Sequence, residues 1–438
     1  MNKIIIILII FLLSFMTAAA LRAQSDRVEY VPEYYDPLLK QMEETRDSLQ
    51  AVRDSLTDAI VVLQDKEKKE KEESKKTLRF DFTGVSKPAS PDIFTAAYHF
   101  PPVPQYNTGT CWAFAGTSFI EAEVARLTGR KIKLSEMHTV YYEYLEKCRN
   151  FVRRRGDFYV SQGSESNAVL CMMNLYGIVP RDIYPGYIGD EKYDHSHLSN
   201  EIRAYLNHAK ENKLWDEDLI LDGVRLILNK YMGEPPESFV FEGRTITPVV
   251  FAREILQIDA DDYVGVISTL SKPFYRQGEL EVWDNWWHDS TYYNLPLEEW
   301  YRILKETVTG GYTVAIGGDN SEPGYNGFED AAVIPDYDIP QAYINQDARE
   351  FRMYNKTTSD DHGIHVVGHK EIDGRDWFLI KDSSRGGRWG DFEGYFFYRD
   401  DYVRLKMIFY LVHKDALKSV IKKFNRADSD EQKPPDES

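Results

Sequence analysis

Cysteine is nearly missing from this chain: 438 residues carry three, Cys111, Cys148 and Cys171. So small and odd a number allows at most one bridge and excludes the disulfide framework that staples small secreted domains. Positive charge is also scarce. The net charge is −18, a field that repels nucleic acid and anionic membrane surfaces and excludes both as main partners. No HExxH pair, no glycine-rich phosphate loop and no zinc-spaced cysteine cluster occurs, so neither a metal nor a cofactor is expected. What is present is material for a sizeable core, 42% hydrophobic with 13% aromatic, and a surface suited to basic ligands or peptides.

One long apolar run opens the chain. Lys3 precedes Ile4 to Met16, and small residues lead to Leu21-Arg22-Ala23 before Gln24. That layout reads as a secretory signal over residues 1–23, giving an exported protein, periplasmic or secreted, with no stable membrane insertion after cleavage. The alternative is a marginal membrane anchor over residues 4–21. From Asp36 the positions Leu38, Met42, Thr45, Leu49, Val52, Leu56, Ala59 and Leu63 recur in steps of four and three. This is a coiled-coil-like heptad seam, opened by Asp36 as N-cap and Pro37 in the first turn. So narrow a stripe needs a partner, either a second copy in a homo-oligomer or the body of the same chain. Residues 36–76 are therefore read as a heptad helix with a charged linker, KEKKEKEESKK. Residues 97–425 form the globular part, and 426–438 a disordered acidic tail.

The segment PQYNTGTCWAFAGTSFIEAEVARLTG runs a loop into an apolar helix and sets Cys111 at the helix start. Unpaired N–H groups and the positive end of the helix dipole favour a thiolate there, the form that attacks carbonyls. Gln105, six residues earlier, can turn its NH2 towards the same carbonyl oxygen and, with the Cys111 N–H, supply the two donors of an oxyanion hole. The plainer alternative is a buried small hydrophobe beside a loop glutamine. Helical spacing recurs over 135–148 and 166–176. From Tyr312 the texture turns to strands: TVAIGG, GIHVVGHKEI, WFLIKD, GYFFY and KMIFYLV. Helices first and antiparallel strands later make an α+β protein.

A thiol nucleophile needs a base, and DDHGIHVVGHKEIDGRDWFLIKDSSRGG holds His362, His365 and His369. A two-residue turn at Asp373-Gly374 would set His365 opposite Asp382. A three-residue loop ending in Gly374 sets Ile364 there and makes His362 a diagonal neighbour of Asp382 on the same face. The residues alone leave both registers open. As a metal site the trio fails, because residues 362 and 365 point to opposite faces of a strand. Trp283, Trp286 and Trp287 read as packing within an inserted subdomain, and DNSEPG (319–324) as a plain turn.

In combination these segments resemble the papain-like cysteine peptidases, and within them the bleomycin hydrolase and aminopeptidase C branch. The resemblance rests on Gln105 with Cys111-Trp112-Ala113-Phe114, Leu134-Ser135-Glu136, Tyr176-Gly177-Ile178 before Tyr184-Pro185, and His362-Gly363 through Gly368. The branch is suggested by the 251 residues from Cys111 to His362 and by GEPPESF, ITPVVFAREIL, YYNLPLEEW and GYFFYRDDYV. It implies a two-lobed fold, helical lobe then β lobe, with an inserted helical subdomain at about 190–290. It also implies Cys111 as nucleophile, His362 rather than His365 as base, and Gln105 in the oxyanion hole. Asp382 stands where the family has asparagine, Ser384 where it has a shielding tryptophan, and Gly163-Ser164 where it has a substrate-binding Gly-Gly. Glu165, next in line, is a candidate for binding a substrate ammonium. The function implied is an exported cysteine peptidase acting on peptides as an aminopeptidase. The alternative is a catalytically weak scaffold of the same fold, assembled through the heptad helix.

Overall fold

The computed structural model describes residues 36–189 and 192–424, in two compact units divided between Thr77 and Leu78. The apolar leader and the acidic tail lie outside the described residues.

In the first unit a helix spans Pro37–Glu73, and the Asp36 carboxylate accepts the N–H groups of Leu38 and Leu39 at 2.8 and 3.3 Å. It does not stop at the end of the heptad seam. Lysine and glutamate are good helix formers, and Lys66 pairs with Glu70 one turn on, so the charged run continues the helix as far as Glu73. No residue of this helix is buried.

In the second unit the helical lobe is built from Cys111–Thr128, Glu136–Arg153 and Ala168–Tyr176. Gly129 and Gly177, at φ 72° and 73°, end the first and third in a backbone region closed to most side chains. The Ser135 hydroxyl caps the second by accepting the His138 N–H at 3.1 Å. Leu198, Ile202, Leu206, Ile220, Val224 and Leu228 come from two helices of the insertion, Ser196–Glu211 and Glu217–Met232. They share one core with Phe114, Phe119, Met137 and Tyr144. The early insertion thus thickens the helical lobe, while its later part adds strands Tyr263–Ile267, Gln277–Gly278 and Tyr292–Asn294 to the sheet. Trp283 departs from the expected packing, being 77% exposed, and Trp286 donates its indole N–H to Glu143 of the helical lobe at 2.6 Å.

The β lobe centres on an 11-stranded sheet in which Tyr263–Ile267, Met407–His413, Val314–Gly318, His362–Ile372, Arg375–Lys381 and Tyr395–Arg399 lie side by side. The strands expected after Tyr312 are all here. The hairpin turn has two residues, Asp373 and Gly374 at φ 51° and 75°, with Ile372 opposite Arg375. By the two-residue rule His365 would then face Asp382, and it does not. A β-bulge between Val366 and Gly368 inserts one unpaired residue, so His365 faces Lys381. Continuing that register sets Ile364 level with Asp382 and brings His362 onto its face. A short turn and a bulge together reproduce the pairing that a longer turn alone would have given.

Candidate active site

The Cys111–Thr128 helix is buried from Trp112 to Val124, so it runs through the middle of the unit and reaches a surface only at Cys111 and in its last turn. Thr110 provides no side-chain cap. The helix start abuts the histidine strand at Gly363, where a Cβ would lie 3.2 Å from the Trp112 Cα. The Gly363 N–H points at the Cys111 sulfur at 3.4 Å. On the other side of the helix start, the Trp112 indole N–H donates to the Gln162 carbonyl at 2.9 Å and the Gly109 N–H to the Gln162 side chain at 2.7 Å. These bonds hold the 162–165 loop beside the thiol.

His362 stands between sulfur and carboxylate. Its Nε2 lies 2.8 Å from Asp382 Oδ1, and the Cys111 sulfur is close enough to act on the ring's charge. Burial alone would favour neutral imidazole, but the negative charge of Asp382 and the sulfur outweigh it and hold the His362 pKa well above its usual value. The same pairing holds the Asp382 carboxyl below its usual range against the cost of its burial. Asp382 is fully engaged: Oδ1 also accepts the Ser384 N–H at 2.7 Å, and Oδ2 accepts the Tyr325 hydroxyl at 3.0 Å. Tyr325 stacks on Phe396 with ring centres 4.5 Å apart. It closes off Asp382, a task the replaced tryptophan would otherwise share, whereas Trp389 is 49% exposed against Phe328.

Gln105 is buried and its amide is oriented from both ends. Oε1 accepts the Ser383 hydroxyl at 2.7 Å, which turns Nε2 the other way, and Nε2 donates to the Thr108 carbonyl at 2.6 Å. One amide hydrogen is left without a partner among the described residues. The Gln105 backbone N–H also donates to the Ser383 carbonyl at 2.9 Å, tying this loop to the strand end that bears Asp382.

The other histidines are elsewhere. His365 is buried on the opposite face, its Nδ1 2.8 Å from the Ser118 hydroxyl, which in turn accepts Lys381 Nζ at 2.6 Å. Burial and the Lys381 charge push its pKa well below the usual value. His369 pairs with Asp376. Among the described residues no group of three or more histidine, cysteine, aspartate or glutamate side chains is placed to hold a metal ion. All three cysteines are free, and burial pushes the thiols of Cys148 and Cys171 up to about 12, leaving them inert at neutral pH.

The Peptidase C1-like family matches residues 157–436, a stretch holding Glu165, His362 and Asp382. The chain belongs to that family. Aminopeptidase C of Lactobacillus delbrueckii subsp. lactis is 23% identical over 351 residues, covering 68% of this chain and 76% of its own. Aminopeptidase C of Streptococcus thermophilus is 24% identical over 263 residues, covering 49% of this chain and 58% of its own. The crystal structure of PepW from Lactobacillus rhamnosis HN001 superposes with a TM-score of 0.64 at 16% identity, over 91% of this chain and 96% of the other. This member of the Peptidase C1-like family is a cysteine-type peptidase with the α+β, papain-like fold.

Tyr325 and Ser383 escaped the sequence reading as site residues. Ser383 was within reach as the neighbour of Asp382. Tyr325 stands in no motif, being 57 residues from its carboxylate.

Proposed function

We propose that the chain is an aminopeptidase working through Cys111, His362 and Asp382, with Gln105 in the oxyanion hole. The observation that carries this is the His362 ring, 2.8 Å from Asp382, with the next residue's N–H, that of Gly363, pointing at the Cys111 sulfur at 3.4 Å. The Cys111 thiolate attacks a peptide carbonyl, and the resulting oxyanion takes hydrogen bonds from the Cys111 N–H and Gln105 Nε2. His362, held as imidazolium by Asp382, gives its proton to the leaving amine. Water then attacks the thioester, His362 takes up one of its protons, and the acid product leaves with the thiolate restored. The names of the two aminopeptidase C relatives support removal of N-terminal residues.

Hydrolysis of fluorogenic aminoacyl amides tests this directly. Free-amine substrates are expected to be cut at least tenfold faster than their N-acetylated forms, with Cys111→Ser inactive. Equal cutting ends the aminopeptidase reading and leaves an endopeptidase. A peptidyl epoxide that fails to label Cys111 at any pH leaves the scaffold alternative.

Residues 1–23 support export. N-terminal sequencing of protein recovered from the periplasm or medium should start near Gln24, and an unprocessed cytosolic chain would reject it. The exposed stripe of the Pro37–Glu73 helix supports self-association. Sedimentation of the full chain against one lacking residues 1–77 should show loss of a larger species.

A further inference from the structure

Beside the sulfur lies a group of acids that the chemistry above does not use. Glu165 hydrogen bonds to Asp360, two residues before His362, and feels the charge of Cys111. Asp284 reaches the same place from the insertion. Its carboxylate is packed so closely on Gly163 that a Cβ there would meet all three carboxylate atoms within 2.6 Å. Three segments distant in sequence thus bring carboxyls together next to the nucleophile, where they cannot all ionise. Burial and mutual repulsion push Asp360 up to about 7 and Glu165 well above its usual range, and burial raises Asp284.

The cations that act on this group, Lys147 on Asp284 and Glu165 and His362 on Asp360, are each shared with another carboxylate, Glu143 and Asp382. Lys147 is near, but its ammonium already donates to the carbonyls of Ser161 and Gly163, and His362 is bonded to Asp382. Two polar atoms are left over. Glu165, 2% exposed, keeps Oε1 without a partner. Tyr292, 1% exposed, keeps its phenol oxygen without one, in the field of Glu165 and Asp360. A buried hydroxyl left unsatisfied is costly and marks a place built for something to occupy. Asp360 also lines a groove of about 560 Å³, whose wall includes Ile267, Leu280 and Ile408, the side chains packed around Tyr292.

We propose that Glu165, Asp360 and Asp284, with the Tyr292 hydroxyl behind them, form the subsite that receives the substrate's free α-ammonium, and that Asp284 closes the cleft at Gly163. This rests on the aminopeptidase reading and gives it a device within the fold. The resemblance places substrate main chain along Gly163, and Asp284 takes the space through which a longer chain would continue. An ammonium carries three donors, matched here by two carboxylates and a hydroxyl. As it binds, the proton shared by Glu165 and Asp360 passes to solvent and the cation takes its place. A basic side chain offers the same chemistry from another source.

The test uses the full chain with alanyl, leucyl and lysyl fluorogenic amides, each free and N-acetylated. Glu165→Gln, Asp360→Asn and Asp284→Asn are each expected to raise KM at least tenfold on every free-amine substrate, with a smaller change in kcat. The preference for free over acetylated substrate should shrink by the same factor, and Asp284→Glu should recover part of it. A preference that survives all three neutral variants overturns the proposal, as does a loss confined to the lysyl substrate. Absence of any preference in the unaltered enzyme is a different result and marks failure of the aminopeptidase reading itself. Should the variants not fold, inhibition of the unaltered enzyme decides. Alaninamide should inhibit at least tenfold more strongly than N-acetylalaninamide, and equal inhibition overturns the proposal.

Discussion

One hairpin of this protein carries two histidine–carboxylate bonds of equal length. His362 Nε2 meets Asp382 at 2.8 Å and, nearer the turn, His369 Nε2 meets Asp376 at 2.8 Å. The difference lies in what else each carboxylate and each ring touches. Asp376 also takes Lys305 Nζ at 2.7 Å and the Tyr301 hydroxyl at 2.7 Å, so its charge is engaged by a lysine cation. Asp382 receives the other bonds from neutral donors, Tyr325 and the Ser384 N–H, and its charge acts on a single imidazole. The far side of the His362 ring meets a thiol, while the His369 ring packs edge-on to Phe378. A histidine–carboxylate bond is by itself an ordinary structural element. It becomes a proton-transfer device when the carboxylate has no second cation and the ring has a nucleophile.

The contrast can be broken most severely at its reactive end. Cys111→Ala and His362→Gln should each lower kcat/KM by ~10³-fold or more. His369→Gln should keep kcat within about threefold of the parent while lowering stability by about 1 kcal/mol, seen as an earlier urea midpoint. A comparable activity loss at His369 would erase the distinction between the two pairs. Next in size is Asp382→Asn, which keeps a hydrogen-bond acceptor but removes the charge. A drop of about tenfold in kcat is expected. The negative charge raises the His362 pKa, so its removal lowers that pKa, and the imidazolium is lost at lower pH. The alkaline limb of the pH–rate profile should therefore move down. An unmoved limb would mean that Asp382 only orients the ring. A smaller effect than that of Asp382→Asn is expected from Tyr325→Phe, which deletes one neutral donor to Asp382, worth ~1 kcal/mol or about a fivefold fall in kcat.

Much of this was legible in the residues. The nucleophile helix, its apolar character, the glycine stops and the run of late strands follow from spacing and composition, and the structure has them all. The choice of His362 over His365 came from resemblance, because strand periodicity cannot register an unpaired residue at Val367. The helix over Pro37–Glu73 was visible as a seam but its end was not, since solvated lysine and glutamate carry helix propensity without periodicity. Tyr325, Asp284 and Asp360 were hidden for a different reason. Tyr325 and Asp284 lie in segments brought to the site only by tertiary folding, and Asp360, though two residues before His362, meets Glu165 in the same way.

The bulge at Val367 divides the hairpin into two mechanical pieces. Thr95–Ala96 braces it there, with the Ala97 N–H bonded to the Val367 carbonyl at 2.9 Å, so slack introduced beyond that point need not travel inwards. The solvent tip can be lengthened, trimmed or recharged over evolutionary time while the imidazole keeps its aim.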